Sequence, residues 1–179
     1  MNDLIRVIQK DHEHIESLLY ELETTTTSPE NRRALADHLI TELERHLVAE
    51  ESYLFPAVRS HLPDGEAIAE QAKRLRAAAE KSMTALENVS PAAARFELSL
   101  TKLTAAVRKH IHRQNETLLP RLRNALSAQD LHELGKQMVH TKDIAPSRPH
   151  PTARDRQGVP LGLGNHLVET VRDALTGNR

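Results

Sequence analysis

Apolar residues recur at steps of three and four along most of residues 3–140, the spacing of amphipathic helices. Leu4, Ile5, Ile8, His12, Ile15, Leu19 and Leu22 predict a first helix over 3–23. A polar loop, TTTTSPEN, follows, in which Ser28 caps a helix and Pro29 takes its first position. The second helix is predicted over 29–55, with Ala36, Leu39, Leu43, Leu47, Glu50 and Leu54 on one stripe; Pro56 disturbs its end and a short turn continues to about 61. After a break at His61-Leu-Pro-Asp-Gly65, a third helix is predicted over 65–88, with Ile68, Gln71, Leu75, Ala79, Met83 and Leu86 inward. Ser90-Pro91 repeats the start signal for a fourth, over 91–119, using Leu100, Leu103, Val107, Ile111, Leu118 and Leu122. Ser127 and Asp130 resemble a capping box for a short helix over 128–140.

Four long amphipathic helices joined by short loops predict an all-α fold, an up-down-up-down four-helix bundle with a short fifth helix. The bundle is assigned to residues 1–140. Residues 141–179 are rich in Pro, Gly and Arg and predict an irregular tail, closed by a short amphipathic helix over 165–175 (Leu167, Val168, Val171, Leu175).

Composition narrows the chemistry. With no cysteine, disulfides, thiol catalysis, iron–sulfur clusters and Cys-based zinc sites are excluded. A net charge of −1 gives no overall pull toward nucleic acid or anionic lipid. No apolar run is long enough to span a bilayer and the N-terminus carries no signal-peptide core, so a cytoplasmic protein is expected. Phosphate loops, nucleophile elbows and dinucleotide fingerprints are absent. What remains is eleven histidines, and imidazole suits iron, zinc and copper.

Their placement separates them. His12 lies on the inward stripe of the first helix and His110 between Val107 and Ile111 on that of the fourth. His46 and Glu50 are four apart on the apolar face of the second, one turn from each other. One inward histidine is more often a hydrogen-bonded core residue than a ligand. Three on separate helices, with a carboxylate at ligand spacing, reverse that preference, because a buried carboxylate is costly unless paired or bound to metal. His14, His38, His61 and His132 lie off the stripes or near helix ends, His112 with Glu116 faces outward, and His140, His150 and His166 fall late in the chain. The segment from His46 to Pro56 also aligns without gaps on that from His110 to Pro120, a histidine ten residues before a proline in both.

At these residues the sequence resembles the hemerythrin-like, or HHE cation-binding, family. The likeness covers about residues 3–126 and rests on Lys10-Asp11-His12, on His46-Leu-Val-Ala-Glu50-Glu51 with the following Leu-Phe-Pro, and on His110 before Pro120. The tail, from Ala145-Pro-Ser-Arg-Pro-His150 to Val171-Arg-Asp-Ala-Leu175, looks like those of actinobacterial members. The resemblance implies a bundle holding non-haem iron, two ions in the family, and handling or sensing of O2, peroxide or nitric oxide, with peroxide decomposition among the activities. It carries over His12, His46, Glu50 and His110 as metal ligands, with Glu50 the candidate bridge.

Two positions depart from the family pattern. The third helix usually supplies a histidine after an acidic residue, where Gln71 follows Glu70; the fourth usually supplies a carboxylate four or five residues after its histidine, where Gln114 and Asn115 stand. Amide oxygens are weaker ligands than imidazole or carboxylate, and two irons with one bridging carboxylate leave positive charge uncompensated. Three outcomes are open at this level. One ion is held by His12, His46, Glu50 and His110; or two, with Glu16, Glu51, Glu70, Tyr53 or solvent filling in; or none. In the last case the protein is a metal-free structural or interaction protein, and Gln71, Gln114, Asn115 and Arg74 form a polar network around Glu50. The repair subtype of the family is disfavoured, since its extra segment carries a cysteine.

Overall fold

The computed structural model describes residues 3–144; the expected tail and its closing helix lie outside the described residues. Helix α1 spans Leu4–Thr24, and the side chain of Asp3 accepts a hydrogen bond from the Arg6 N–H at its start. Helix α2, Pro29–Ala49, opens on Ser28 and Pro29 as the sequence predicts. It passes through a π-helical turn, Glu50–Leu54, into α3, Phe55–His61. Helix α4 is Gly65–Glu87. Helix α5, Ala94–Arg113, likewise continues through a π turn, Gln114–Leu118, into α6, Leu119–Ala125. Helix α7 is Ala128–Ile144, and its capping box forms: Ser127 Oγ accepts from the Asp130 N–H and donates to the Asp130 carboxylate. The architecture is the all-helical bundle the periodicity predicts, and no strand occurs among the described residues.

Proline explains why the two broken rods break alike. In a straight α-helix the rings of Pro56 and Pro120 would meet the carbonyl four residues back and leave it without a donor. The widened turn absorbs this: the Phe55 N–H bonds the Glu50 carbonyl and the Leu119 N–H bonds the Gln114 carbonyl, each five residues back. The sequence repeat is therefore a structural repeat, with Glu50 and Gln114 opening equivalent turns.

The core is two apolar blocks. One gathers Leu4, Ile8, Leu54, Val58, Leu122 and Met138. The other gathers Ile15, Leu19, Leu39, Leu43, Phe96 and Leu103. Each fully buried side chain of this size contributes about 1.5–3 kcal/mol on transfer from water. Between the blocks lies a polar belt, since His12 falls between Ile8 and Ile15 and Glu50 between Leu47 and Leu54.

Three sequence expectations are corrected. The fourth rod becomes helical at Ala94 rather than 91, because Ser90–Ala93 close a turn in which the Ala93 N–H bonds the Ser90 carbonyl. Helix α7 runs four residues past its expected end, to Ile144, and packs along α1 and α2, burying Leu131, Leu134 and Met138. In α4 only the ends sink into the core, at Gly65, Ala69, Met83 and Leu86; Leu75, expected inward, is 46% exposed. Helices α3 and α4 meet closely at Gly65, where an added Cβ would lie 2.1 Å from the Val58 carbonyl oxygen.

Candidate metal centre

The polar belt brings together the four residues singled out from the sequence. One ligand atom from each of His12, His46, Glu50 and His110 lies within 4.8 Å of every other. The three rings meet edge to face, with centroids 5.1 to 6.1 Å apart. Glu50 Oε1 is 3.2 Å from His46 Nε2 and 3.4 Å from His110 Nε2. His12, His46 and Glu50 are buried and His110 is partly open.

The outward ring nitrogens are anchored. His12 Nδ1 pairs with Asn115 Oδ1 at 2.9 Å, which requires the Nδ1–H tautomer because the amide oxygen only accepts. His46 Nδ1 donates to Asp11 Oδ2 at 3.3 Å, and Asp11 is held by Lys142 from α7. Both Nε2 atoms are thereby turned inward, the arrangement by which outer carboxylates and carbonyls orient metal-binding imidazoles.

Inside, the polar atoms are left over. His12 Nε2, His46 Nε2, His110 Nε2, both Glu50 oxygens and Gln114 Oε1 are buried and make no well-aligned hydrogen bond among the described residues; His46 and His110 meet Glu50 only as ion-pair contacts. Orphaned buried polar atoms are rare in folded proteins. Convergent imidazole nitrogens and a carboxylate are a donor set for first-row transition metals. Ligands about 2.1 Å from one ion lie at most about 4.2 Å apart, so a contraction of a few tenths of an ångström closes the cluster on a single centre. The residues fit a metal ion.

Charge agrees. Burial pushes the Glu50 carboxyl up, but the charges of His46 and His110 outweigh it and hold the group well below the usual range. Burial pulls His46 down, and Glu50 and Asp11 raise it to about 9. His12, with burial and the His46 charge acting together, falls to about 4. Burial also raises Asp11, but His46 and Lys142 keep it ionised. Without metal, a proton on His46 balances Glu50.

The side chains that would fill in for a second ion are engaged elsewhere. Glu16 pairs with Arg108 at 3.1 Å, Glu70 with Arg59 at 3.8 Å, and Glu51 is exposed and pairs with Arg76 at 3.2 Å. The Tyr53 hydroxyl meets Thr141 Oγ1 at 2.7 Å, toward α7. Among the described residues no amide hydrogen-bonds Glu50: Asn115 serves His12, Gln71 lines a cavity and Arg74 is exposed. The sequence reading missed Asp11, Asn115 and Lys142 as orienting groups. Asp11 beside His12 was a usable signal, since neighbouring positions on a helix point about 100° apart and reach different partners.

A cavity of about 490 Å³ between α2, α4 and α5 opens on the centre and is lined there by His46, Glu50, His110 and Gln114. No helix among the described residues is long and apolar enough to cross a membrane.

Comparison with known proteins bears on the family and the fold. The family model described as "Hemerythrin HHE cation binding domain" matches residues 3–122. An uncharacterized hemerythrin-like protein of Schizosaccharomyces pombe is 22% identical over 178 residues, covering 98% of this chain and 87% of its own. A DNA nickase of Nostoc is 25% identical over 136 residues; the match takes in 76% of this chain and 38% of the nickase, so the chain spans well under half of that relative. The crystal structure of a hemerythrin HHE cation binding domain-containing protein from Mycobacterium kansasii superposes with a TM-score of 0.71 at 19% identity, over 80% of this chain and 87% of that one.

Proposed function

Because the chain belongs to the hemerythrin HHE cation-binding family, we propose that it is a non-haem iron protein of the cytoplasm, handling or sensing O2, peroxide or nitric oxide. Its ligands in this reading are His12, His46, Glu50 and His110. The observation that carries it is the convergence of their buried ligand atoms within 4.8 Å, none with a well-aligned hydrogen bond, while the opposite ring nitrogens of His12 and His46 are anchored.

The donor set favours one ion. Glu16, Glu51 and Glu70, the carboxylates that a second would call on, are engaged by arginines. Bound iron supplies a redox-active Lewis acid with exchangeable positions. The chain does the rest. Asn115 and Asp11 fix the tautomers of His12 and His46, the two apolar blocks exclude water above and below, and the cavity beside His110 admits a small reactant.

Metal analysis of protein purified from iron-supplemented cells tests this. One iron per chain, lost in His46→Ala with the helical content retained, is the expected result. Metal far below one per chain in the wild type, or unchanged in the variant, would overturn it. Peroxide consumption by the iron-loaded wild type, and none by His46→Ala, would support the enzymatic form of the reading.

A further inference from the structure

The cavity beside the centre is much larger than a diatomic gas or peroxide requires. Its volume of about 490 Å³ lies in the range typical of sites for organic ligands, about 300–1,000 Å³. It is also elongated. Along α4 it is lined by Ile68, Ala72, Leu75, Ala79 and Met83, a stripe of about 22 Å at 1.5 Å per residue. The facing wall is apolar as well, with Leu43 and Leu47 of α2 and Val107 and Ile111 of α5. This is where α4 leaves the core, with Leu75 46% exposed.

The rim has the opposite character. Among the charged residues lining the cavity, Arg59, Arg76 and Arg121 are engaged by carboxylates, and Glu51 and Asp64 by arginines. Lys73, Lys109 and Arg113 are exposed and have no ion-pair partner among the described residues. Lys109 and Arg113 line the same cavity as His110 and Gln114, so uncompensated positive charge lies on the wall that carries the centre. A long apolar trough with unpaired cations on its rim complements a single-headed anionic amphiphile.

We propose that this groove binds a long-chain carboxylate of the fatty-acid class, its head at Lys73, Lys109 and Arg113 and its chain along the apolar stripe of α4. The head then sits over the mouth of the His/Glu centre and the bound molecule controls access to it. That consequence rests on the metal reading; the binding itself does not.

Calorimetry with oleate on the full chain, stripped of metal by chelation, separates the two. Saturable binding of oleate at micromolar concentration is expected, with oleyl alcohol, the uncharged molecule of equal chain length, at least about tenfold weaker and acetate not bound. Lys73→Glu with Lys109→Glu should weaken oleate about tenfold or more while leaving oleyl alcohol unchanged, a control that the groove is still folded. Ala79→Phe should weaken both by filling the trough. Absence of saturable oleate binding, acetate binding as tightly as oleate, or oleate affinity unchanged in both variants would overturn the proposal. A metal-free protein that binds oleate but takes up no iron would leave the groove standing and remove only the metal centre.

Discussion

His12 of α1 and Asn115 of the second π turn, 103 positions apart in sequence, are joined by a 2.9 Å hydrogen bond between Nδ1 and Oδ1. The amide of Asn115 thus holds the ring of His12, a ligand in the proposed reading. Asn115→Ala should leave His12 free to rotate and cut metal affinity by about 10- to 100-fold. Asn115→Asp keeps an acceptor and should stay near wild type. Competition titration with a calibrated chelator reads both; equal loss in the two variants would mean the bond to His12 plays no orienting part.

The same logic applies to His46. Asp11 accepts from its Nδ1 and is held in turn by Lys142, so α7 supports the centre through one carboxylate. Asp11→Ala should weaken metal binding by about tenfold or more, and Lys142→Met less, since His46 still has its acceptor. The same titration checks the order; Lys142→Met weaker than Asp11→Ala would show that α7 acts by another route.

In metal-free protein, stability should peak near the ordinary histidine pKa of about 6.5. His46 is raised to about 9, so its contribution is complete below about 6.5 and is lost as pH rises toward 9. His12 is lowered to about 4, so its contribution is complete above about 6.5 and is lost as pH falls toward 4. Urea unfolding of chelator-treated protein from pH 4 to 9 measures this. A steady rise in stability to pH 9 would contradict the raised His46. Binding of metal must also displace the His46 proton, so affinity should climb with pH over the same alkaline window.

The inward set of α1, α2 and α5 was legible because each stripe is continuous at steps of three and four, and every expected core residue from Leu100 to Leu122 is buried. The stripe on α4 was equally regular, yet Leu75 is exposed, because periodicity reports one apolar face without saying whether a neighbour covers it. Ligand spacing found His46 and Glu50 within one helix. The partners of the outward nitrogens could not be found that way: Asn115 and Lys142 reach α1 residues across the bundle, and no local pattern encodes such contacts.

At Gly65 the constraint is close approach. A methyl group there would sit 2.1 Å from the Val58 carbonyl oxygen and 2.8 Å from the Arg59 Cα, both backbone atoms that yield only if α3 and α4 separate. Gly65→Ala should therefore cost about 1–3 kcal/mol, although alanine is the better helix former. A fall of several degrees in Tm is the expected readout; a gain would mean that α3 and α4 slide apart freely.

Gln114→Glu tests whether the depleted side of the centre can be refilled. Gln114 opens the turn equivalent to that of Glu50, and its Oε1 is buried and unpartnered beside the same cavity. A second buried carboxylate next to Glu50 adds like charge, so the metal-free variant should be less stable than wild type. Bound metal reverses the sign, because the new oxygen gains a cation, and stabilisation by a ligand grows with its affinity. The metal-induced rise in Tm should thus be larger in Gln114→Glu than in wild type, with metal per chain equal or higher. If the variant loses stability without metal and regains no more than wild type with it, the Gln114 position does not face the bound ion.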